Sequence, residues 1–305
     1  QIALGLNNFI STQGFAKTGM VSVLIGAICN IILDPIFIFG FDMGVAGAAW
    51  ATIISQALSA AWVLSFLCSK RTILKIRLKN LRISPKVYLP CIALGLSPFT
   101  MQATESLITV CYNSSLLKYG GDIAVGSMTI LSSVMQFSML PLQGLTQGSQ
   151  PIISYNYGAR NGERVKKAFF LLLKTCLTYS TLLWAICMFL PQLFIAIFTS
   201  DPALTEYTMW TIRVYMSMSL IFGAQMACQQ TFVALGNAKT SLFLAVLRKI
   251  ILLIPLIFIL PMFLENKVFA VFLSEPVADT LAVLTTVTTF YFQFRSVLKD
   301  LQRTP

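Results

Sequence analysis

Long apolar runs separated by short polar joints dominate this chain. A helix that crosses a bilayer needs about 20 mostly apolar residues, because the hydrocarbon core is about 30 Å thick and offers no partner to a free backbone N–H or C=O. Eight runs meet that length, near residues 18–39, 45–67, 87–117, 123–154, 165–198, 205–235, 241–264 and 268–294. They predict an all-α, polytopic membrane protein with eight transmembrane helices. Residues 1–13 read as the end of an earlier helix plus a loop, since a signal peptide would show a basic start and a small-residue cleavage site. The natural N-terminus is expected upstream of Gln1.

One polar joint occurs twice. Gly14, Ala16, Lys17 and Thr18 reappear 222 positions later as Gly236, Ala238, Lys239 and Thr240, each set ending a joint and opening a long apolar helix. The same spacing pairs Ile28 with Ile250, Ile32 with Ile254, Ala48 with Ala270, Trp50 with Phe272, and Thr52 with Ser274. Chance identity is high among apolar helices, so the G-x-A-K-T joint and the unchanged spacing carry the weight. Both copies start from the same side, which makes a parallel repeat about an axis along the membrane normal, as in two-lobed transporters. The expected domains are 1–68, the last two spans of an N-terminal lobe; 69–86, a basic linker; and 87–305, a six-helix C-terminal lobe. A complete pair of lobes would hold twelve helices, of which about four, roughly 135 residues, are expected before Gln1.

Composition agrees: 56% of the 305 residues are hydrophobic and 11% charged, against about 45–50% and about 25% in soluble domains. The net charge of +11 would suit nucleic acid, but the bases sit on alternate joints. Lys70, Arg71, Lys75, Arg77, Lys79, Arg82 and Lys86 fall on one, Arg160, Arg164, Lys166 and Lys167 on another, and Arg295, Lys299 and Arg303 on the tail. By the positive-inside rule these joints and the C-terminus are cytoplasmic, and no nucleic-acid partner is expected. The seven cysteines lie singly in apolar runs with no histidine to share a metal, so they read as reduced core residues. No H-E-x-x-H, G-x-S-x-G or phosphate-cradling glycine loop is present, so an enzyme is not expected.

The runs LNNFISTQGFAKTGM and NIILDPIFIFGFDMGVAGAAWATIISQ resemble the fourth-to-sixth helix region of the multidrug and toxic compound extrusion (MATE) family, prokaryotic type. GGDIAVGS and MLPLQGLTQGSQPIISYNYGARNGERV are similar to its C-terminal half, and the resemblance covers nearly the whole chain. It implies two six-helix lobes, alternating access, a monomeric full-length protein in the bacterial inner membrane, and export of small organic cations in exchange for H⁺ or Na⁺. Membrane lipid is the other expected partner, and no cofactor beyond the coupling ion is expected. The rival reading is a flippase of lipid-linked precursors or polysaccharide, which has related architecture but calls for a basic cavity, whereas these spans hold more acids than bases.

An ionisable side chain inside a spanning helix costs at least about 2.5–3.5 kcal/mol and reads as functional by default. Asn30 and Asp34 are four apart, hence on one helical face, and Pro35 interrupts the backbone ladder beside them. With Thr52, which the resemblance adds, they form the expected cation- or proton-coupling site; the repeat replaces the three by Leu252, Leu256 and Ser274. Glu105, with Gln102 one turn before it, is expected to face the substrate cavity together with Gln136 and Asp279. The resemblance allows an acid on the tenth helix to pair with Glu105 around Na⁺, but Gln225, Gln229 and Gln230 occupy that region here. Glu275 lies one turn before Asp279. Arg248 and Lys249 have two open readings, snorkelling to the interface or pairing with Asp279 or Glu275.

Overall fold

The computed structural model describes residues 2–74 and 84–303, so Lys75, Arg77, Lys79 and Arg82 of the basic linker lie outside the described residues. Among those described, every regular element is a helix. The chain divides into two compact units, Gln1–Ser84 and Pro85–Pro305.

The N-terminal unit holds α1 (Ile2–Thr12), α2 (Ala16–Pro35) and α3 (Gly44–Cys68). Pro35 has no N–H to continue the i→i−4 ladder, and α2 passes at once into a π-helical turn, Ile36–Gly40. There the Phe41 N–H bonds the Ile36 carbonyl at 2.9 Å. Buried residues recur every fourth position along α3, at Gly47, Ala51, Ser55, Ser59, Val63 and Leu67. The first four are small, so α3 approaches α2 closely enough for the Ser59 hydroxyl to reach the Ser22 carbonyl at 2.8 Å. Phe15 and Phe66 close the end of this hairpin edge to face.

The C-terminal unit begins with one helical stretch, Pro85–Gly158, broken at Gly121 (φ 66°, ψ −164°) into α4 (85–120) and α5 (122–158). It continues with α6 (Gly162–Phe189), α7 (Pro191–Phe198), α8 (Pro202–Tyr215), α9 (Ser219–Ala234), α10 (Ala238–Val246, then a π-turn at Leu247–Leu253 and Ile254–Phe263) and α11 (Lys267–Arg303). Asn161, Asp201 and Asn237 cap α6, α8 and α10, each accepting from a backbone N–H of the first turn. Two aromatic-rich clusters form the core: Tyr112, Leu116, Leu131, Tyr215 and Phe272 in one, and Phe169, Phe222, Phe232, Phe290 and Phe294 in the other.

Six helices among the described residues are long and apolar enough to cross a membrane. The difference from the eight expected runs has local causes. The 57-residue stretch Gln102–Gly158 contains the Gly121 break and spans two of the runs. Residues 205–235 are interrupted at 216–218, where the Ser219 hydroxyl takes the Met216 carbonyl at 2.8 Å. Pro191 ends the run that begins near 165 and restarts it as α7.

The repeated joint has the same backbone in both copies. Gly14 and Gly236 take positive φ, 89° and 78°. Each is followed by an N–H that reaches back five residues, Phe15 to Ile10 at 3.3 Å and Asn237 to Phe232 at 2.9 Å. This is the Schellman arrangement that ends a helix.

Candidate ion and substrate sites

Each unit holds one polar constellation. In the N-terminal unit α2 and α3 form the wall of a cavity of about 810 Å³, lined by Asn7, Ser22, Asn30, Thr52, Ser55 and Gln56 among others. The Asn30 amide donates to Asp34 Oδ1 at 3.2 Å across one turn of α2. Asp34 is half-buried beside Pro35, whose missing N–H leaves a backbone carbonyl of the preceding turn without its helical donor. The Thr52 hydroxyl is exposed and donates to its own helix, to the Ala48 carbonyl at 2.9 Å. Asn30 and Thr52 thus share a cavity, and Asp34 joins them through Asn30. Two lining groups, Asn7 Oδ1 and Ser55 Oγ, are buried without a hydrogen-bond partner. A cavity with acceptors and hydroxyls of this kind suits a hydrated cation or a proton-carrying carboxylate.

In the C-terminal unit the constellation is ionic. α10 lies between α4 and α11, and its π-turn carries Arg248 and Lys249 as consecutive residues, which point to different neighbours. Arg248 Nε donates to Asp279 Oδ1 at 2.7 Å, and a terminal guanidinium nitrogen lies 3.4 Å from Glu275 Oε1. Its plane also covers the Phe222 ring, 4.5 Å from the centroid. The Tyr112 hydroxyl donates to Glu275 Oε2 at 3.1 Å and lies 2.9 Å from Ser274 Oγ. Lys249 Nζ lies 2.9 Å from Glu105 Oε1. Charges removed from water persist when each has a partner, and every charged member of this cluster has one.

Both Arg248 and Lys249 are buried, so neither snorkels. Arg248 pairs with Asp279 and Glu275, the second of its two readings, whereas Lys249 pairs with Glu105, a partner that neither reading named. Glu105 is half-exposed, Gln102 and Gln136 are exposed, and Asp279 is buried behind Arg248. Tyr112, Ser274 and the Arg248–Lys249 pair are members of this site that reasoning from the sequence missed or left open. The available signal was the repeat, which sets Ser274 at the position of Thr52. Among the described residues no group of three or more His, Cys, Asp or Glu is arranged to hold a metal.

Spanning helices and buried, paired charge define a polytopic helical membrane protein. The MatE family profile matches residues 99–259, just over half of the chain, and the chain belongs to the MatE family. Among curated proteins it is similar to the multidrug export protein MepA of Staphylococcus aureus (strain bovine RF122 / ET3-1), 27% identical over 259 residues that make up 84% of this chain and 56% of that relative. MepA of Staphylococcus saprophyticus matches with the same figures, 27%, 84% and 56%. The chain therefore spans little more than half the length of these relatives. Among solved structures, the MATE multidrug transporter DinF-BH in complex with a ligand is 33% identical, with a TM-score of 0.85 over 97% of this chain and 66% of that one. The crystal structure of a MATE mutant superposes with a TM-score of 0.91 over 98% of this chain and 67% of that one, at 21% identity, a likeness of fold.

Proposed function

We propose that the chain is the larger part of a secondary active antiporter that exports small organic cations in exchange for H⁺ or Na⁺ by alternating access of two lobes. The observation that carries the reading is the Asn30–Asp34 hydrogen bond beside Pro35, at the edge of a cavity that Asn30 and Thr52 line. Asp34 is the coupling switch. Loaded from outside with a proton or Na⁺, its charge is neutralised and α2 repacks about the break at Pro35; unloading inside reverses the change. The ion drives this because it binds the two conformations with different affinity. Glu105, with Gln102 on the same face of α4 and Gln136 on α5, supplies the cavity that draws cations, and Asp279 fixes Arg248 behind it. The MepA relatives are named multidrug export proteins, and DinF-BH is a multidrug transporter solved with a ligand bound, which supports organic substrates here.

The protein belongs on this reading in a bacterial inner membrane with its basic joints and C-terminus cytoplasmic. The flippase alternative asks for free bases to hold pyrophosphate, whereas Arg248 and Lys249 are both engaged by carboxylates. The test is efflux of a fluorescent organic cation from cells carrying the full-length protein or its Asp34→Asn variant, with the Na⁺ and pH gradients varied separately. Efflux that follows one gradient and vanishes in Asp34→Asn, with the variant still in the membrane, supports the reading and names the ion. Full efflux in Asp34→Asn removes Asp34 from the mechanism.

A further inference from the structure

The four most deeply buried charged side chains described in the C-terminal unit balance one another. Arg248 and Lys249 are 4% and 6% exposed, and Glu275 and Asp279 are 3% and 5% exposed, so two positive groups face two negative ones. Glu105 is the fifth member and the odd one. Its side chain is 54% exposed, against 7% for Lys249, and with all five groups ionised it makes the cluster one negative charge richer than neutral.

This arithmetic decides how firmly Lys249 is committed. Breaking a buried ion pair is costly chiefly because the abandoned charge stays buried without compensation. Lys249 is not in that position when it leaves Glu105, since Glu275 and Asp279 together carry one more charge than Arg248 neutralises. Glu275 is placed to receive it: the contact of Glu275 Oε1 with Arg248 is long, at 3.4 Å, and each carboxylate oxygen accepts more than one donor. Glu105 is the member that can meet an incoming group, because it is the exposed one. An ionised pair does not face hydrocarbon without penalty, so that exposed side opens to water or to ligand.

We infer that Lys249 is a resident, exchangeable cation on Glu105: its ammonium occupies the carboxylate until an organic cation takes the position, and then turns to Glu275. The inference rests on the cation-export reading above and names the residue that sets the affinity of the site. Because the tethered ammonium competes with every cationic ligand, each binds more weakly by the fraction of time that Glu105 is free. A transporter gains from this ceiling, since the same site must release what it binds.

The experiment measures binding of ethidium and of tetraphenylphosphonium to the purified protein and to Lys249→Met, Glu105→Gln and the double variant. Lys249→Met should tighten both by about tenfold, Glu105→Gln should weaken both by at least tenfold, and the double variant should match Glu105→Gln. If Glu105→Gln weakens binding while Lys249→Met leaves it unchanged, Lys249 is a fixed partner, and the inference fails with the cation reading intact. If the parent binds neither cation, the cation reading fails and takes the inference with it. A second arm needs no ligand. Glu105→Gln should lower the melting temperature far less than Glu275→Gln, and equal losses overturn the proposal. Where Lys249→Met does not fold, Lys249→Met combined with Glu275→Gln keeps the inner group neutral and replaces it in the binding series.

Discussion

Arg248 Nε donates to Asp279 Oδ1 at 2.7 Å in the middle of the helical C-terminal unit, with both side chains buried. The pair joins α10 to α11 at a depth where a lone charge has no water to turn to. At that length it is a charge-assisted contact, shorter than those of Glu275 with Arg248 and of Glu105 with Lys249. Arg is suited to the position, because its fork reaches Asp279 and Glu275 at once while its plane lies on Phe222.

Asp279→Ala should therefore destabilise the protein by about 3–5 kcal/mol, the range for removing one partner of a buried pair. Arg248→Lys keeps the charge but loses the fork, and should cost about 1.5–3 kcal/mol. Both are read as loss of melting temperature in detergent. A neutral Asp279→Ala would mean that Glu275 alone holds the guanidinium.

Tyr112→Phe removes a hydroxyl that donates to Glu275 Oε2 and contacts Ser274 Oγ, and leaves the ring against Tyr215. The expected loss is about 1–3 kcal/mol, because a buried carboxylate oxygen loses its donor while the packing is unchanged. Adding Ser274→Ala should cost little more, since Ser274 retains its bond to the Val271 carbonyl and shares Tyr112 as partner. Additive losses in the double variant would show that the two residues act separately.

How much of this was legible in the sequence differs between backbone and side chains. The apolar runs located the long helices, since the 20-residue requirement is set by the membrane itself. The repeated joint located the start of two helices, because G-x-A-K-T recurs there at unchanged spacing; the role of its glycine, ending the preceding helix in a left-handed conformation, emerged from the backbone. Asn30 and Asp34 were legible as a pair because a four-residue spacing fixes a shared helical face. The partners of Arg248 were legible only as one of two readings, and the partner of Lys249 was not legible. Asp279 is 31 positions from Arg248, and Lys249 meets Glu105 from another helix altogether. Such pairings depend on helix rotation, and a run that is apolar on every side leaves rotation unspecified. The π-turn at Leu247–Leu253 and the interruption at 216–218 were hidden for a related reason, as neither contains a proline or glycine.

The paired glycine joints give a symmetric prediction. Gly14→Ala and Gly236→Ala each force a side chain into positive φ and should each cost about 1–2 kcal/mol. Gly95→Ala in α4 meets nothing within 4 Å at an ordinary φ and should be neutral or stabilising by up to about 1 kcal/mol. Melting temperatures of the three variants separate backbone strain from any general intolerance of alanine.

Gln13 ties the segment after α3 back to the α1–α2 joint. Its side-chain oxygen accepts from the Thr72 hydroxyl at 2.6 Å and from the Ile73 and Leu74 N–H groups at 2.8 and 3.1 Å. Gln13→Ala frees three donors at once and should raise the rate of trypsin cleavage at Lys70 and Arg71 several-fold, with the helices left intact. Thr72→Val removes one of the three and should have a smaller effect. Equal cleavage in parent and Gln13→Ala would mean that the segment is held elsewhere.

The contact of α6 with α9 at Gly223 should be intolerant of added volume. A Cβ at Gly223 in α9 would stand 2.5 Å from the Cys176 carbonyl oxygen and 2.5 Å from Ser180 Oγ, both on α6. The serine hydroxyl can rotate away, but the carbonyl is helix backbone and cannot, so even alanine must push α9 off α6. The helices on either side are fixed by Phe169, Phe222 and Phe232 in one aromatic core, and a shift there disturbs all three. Gly223→Ala should therefore cost about 1–3 kcal/mol, and Gly223→Leu should prevent folding. Gly126→Ala is the control, because the nearest atom is a Leu204 methyl at 3.4 Å that a rotamer change can move. If Gly223→Ala melts with the parent while Gly126→Ala does not, the close approach of α6 and α9 is not what holds this core together.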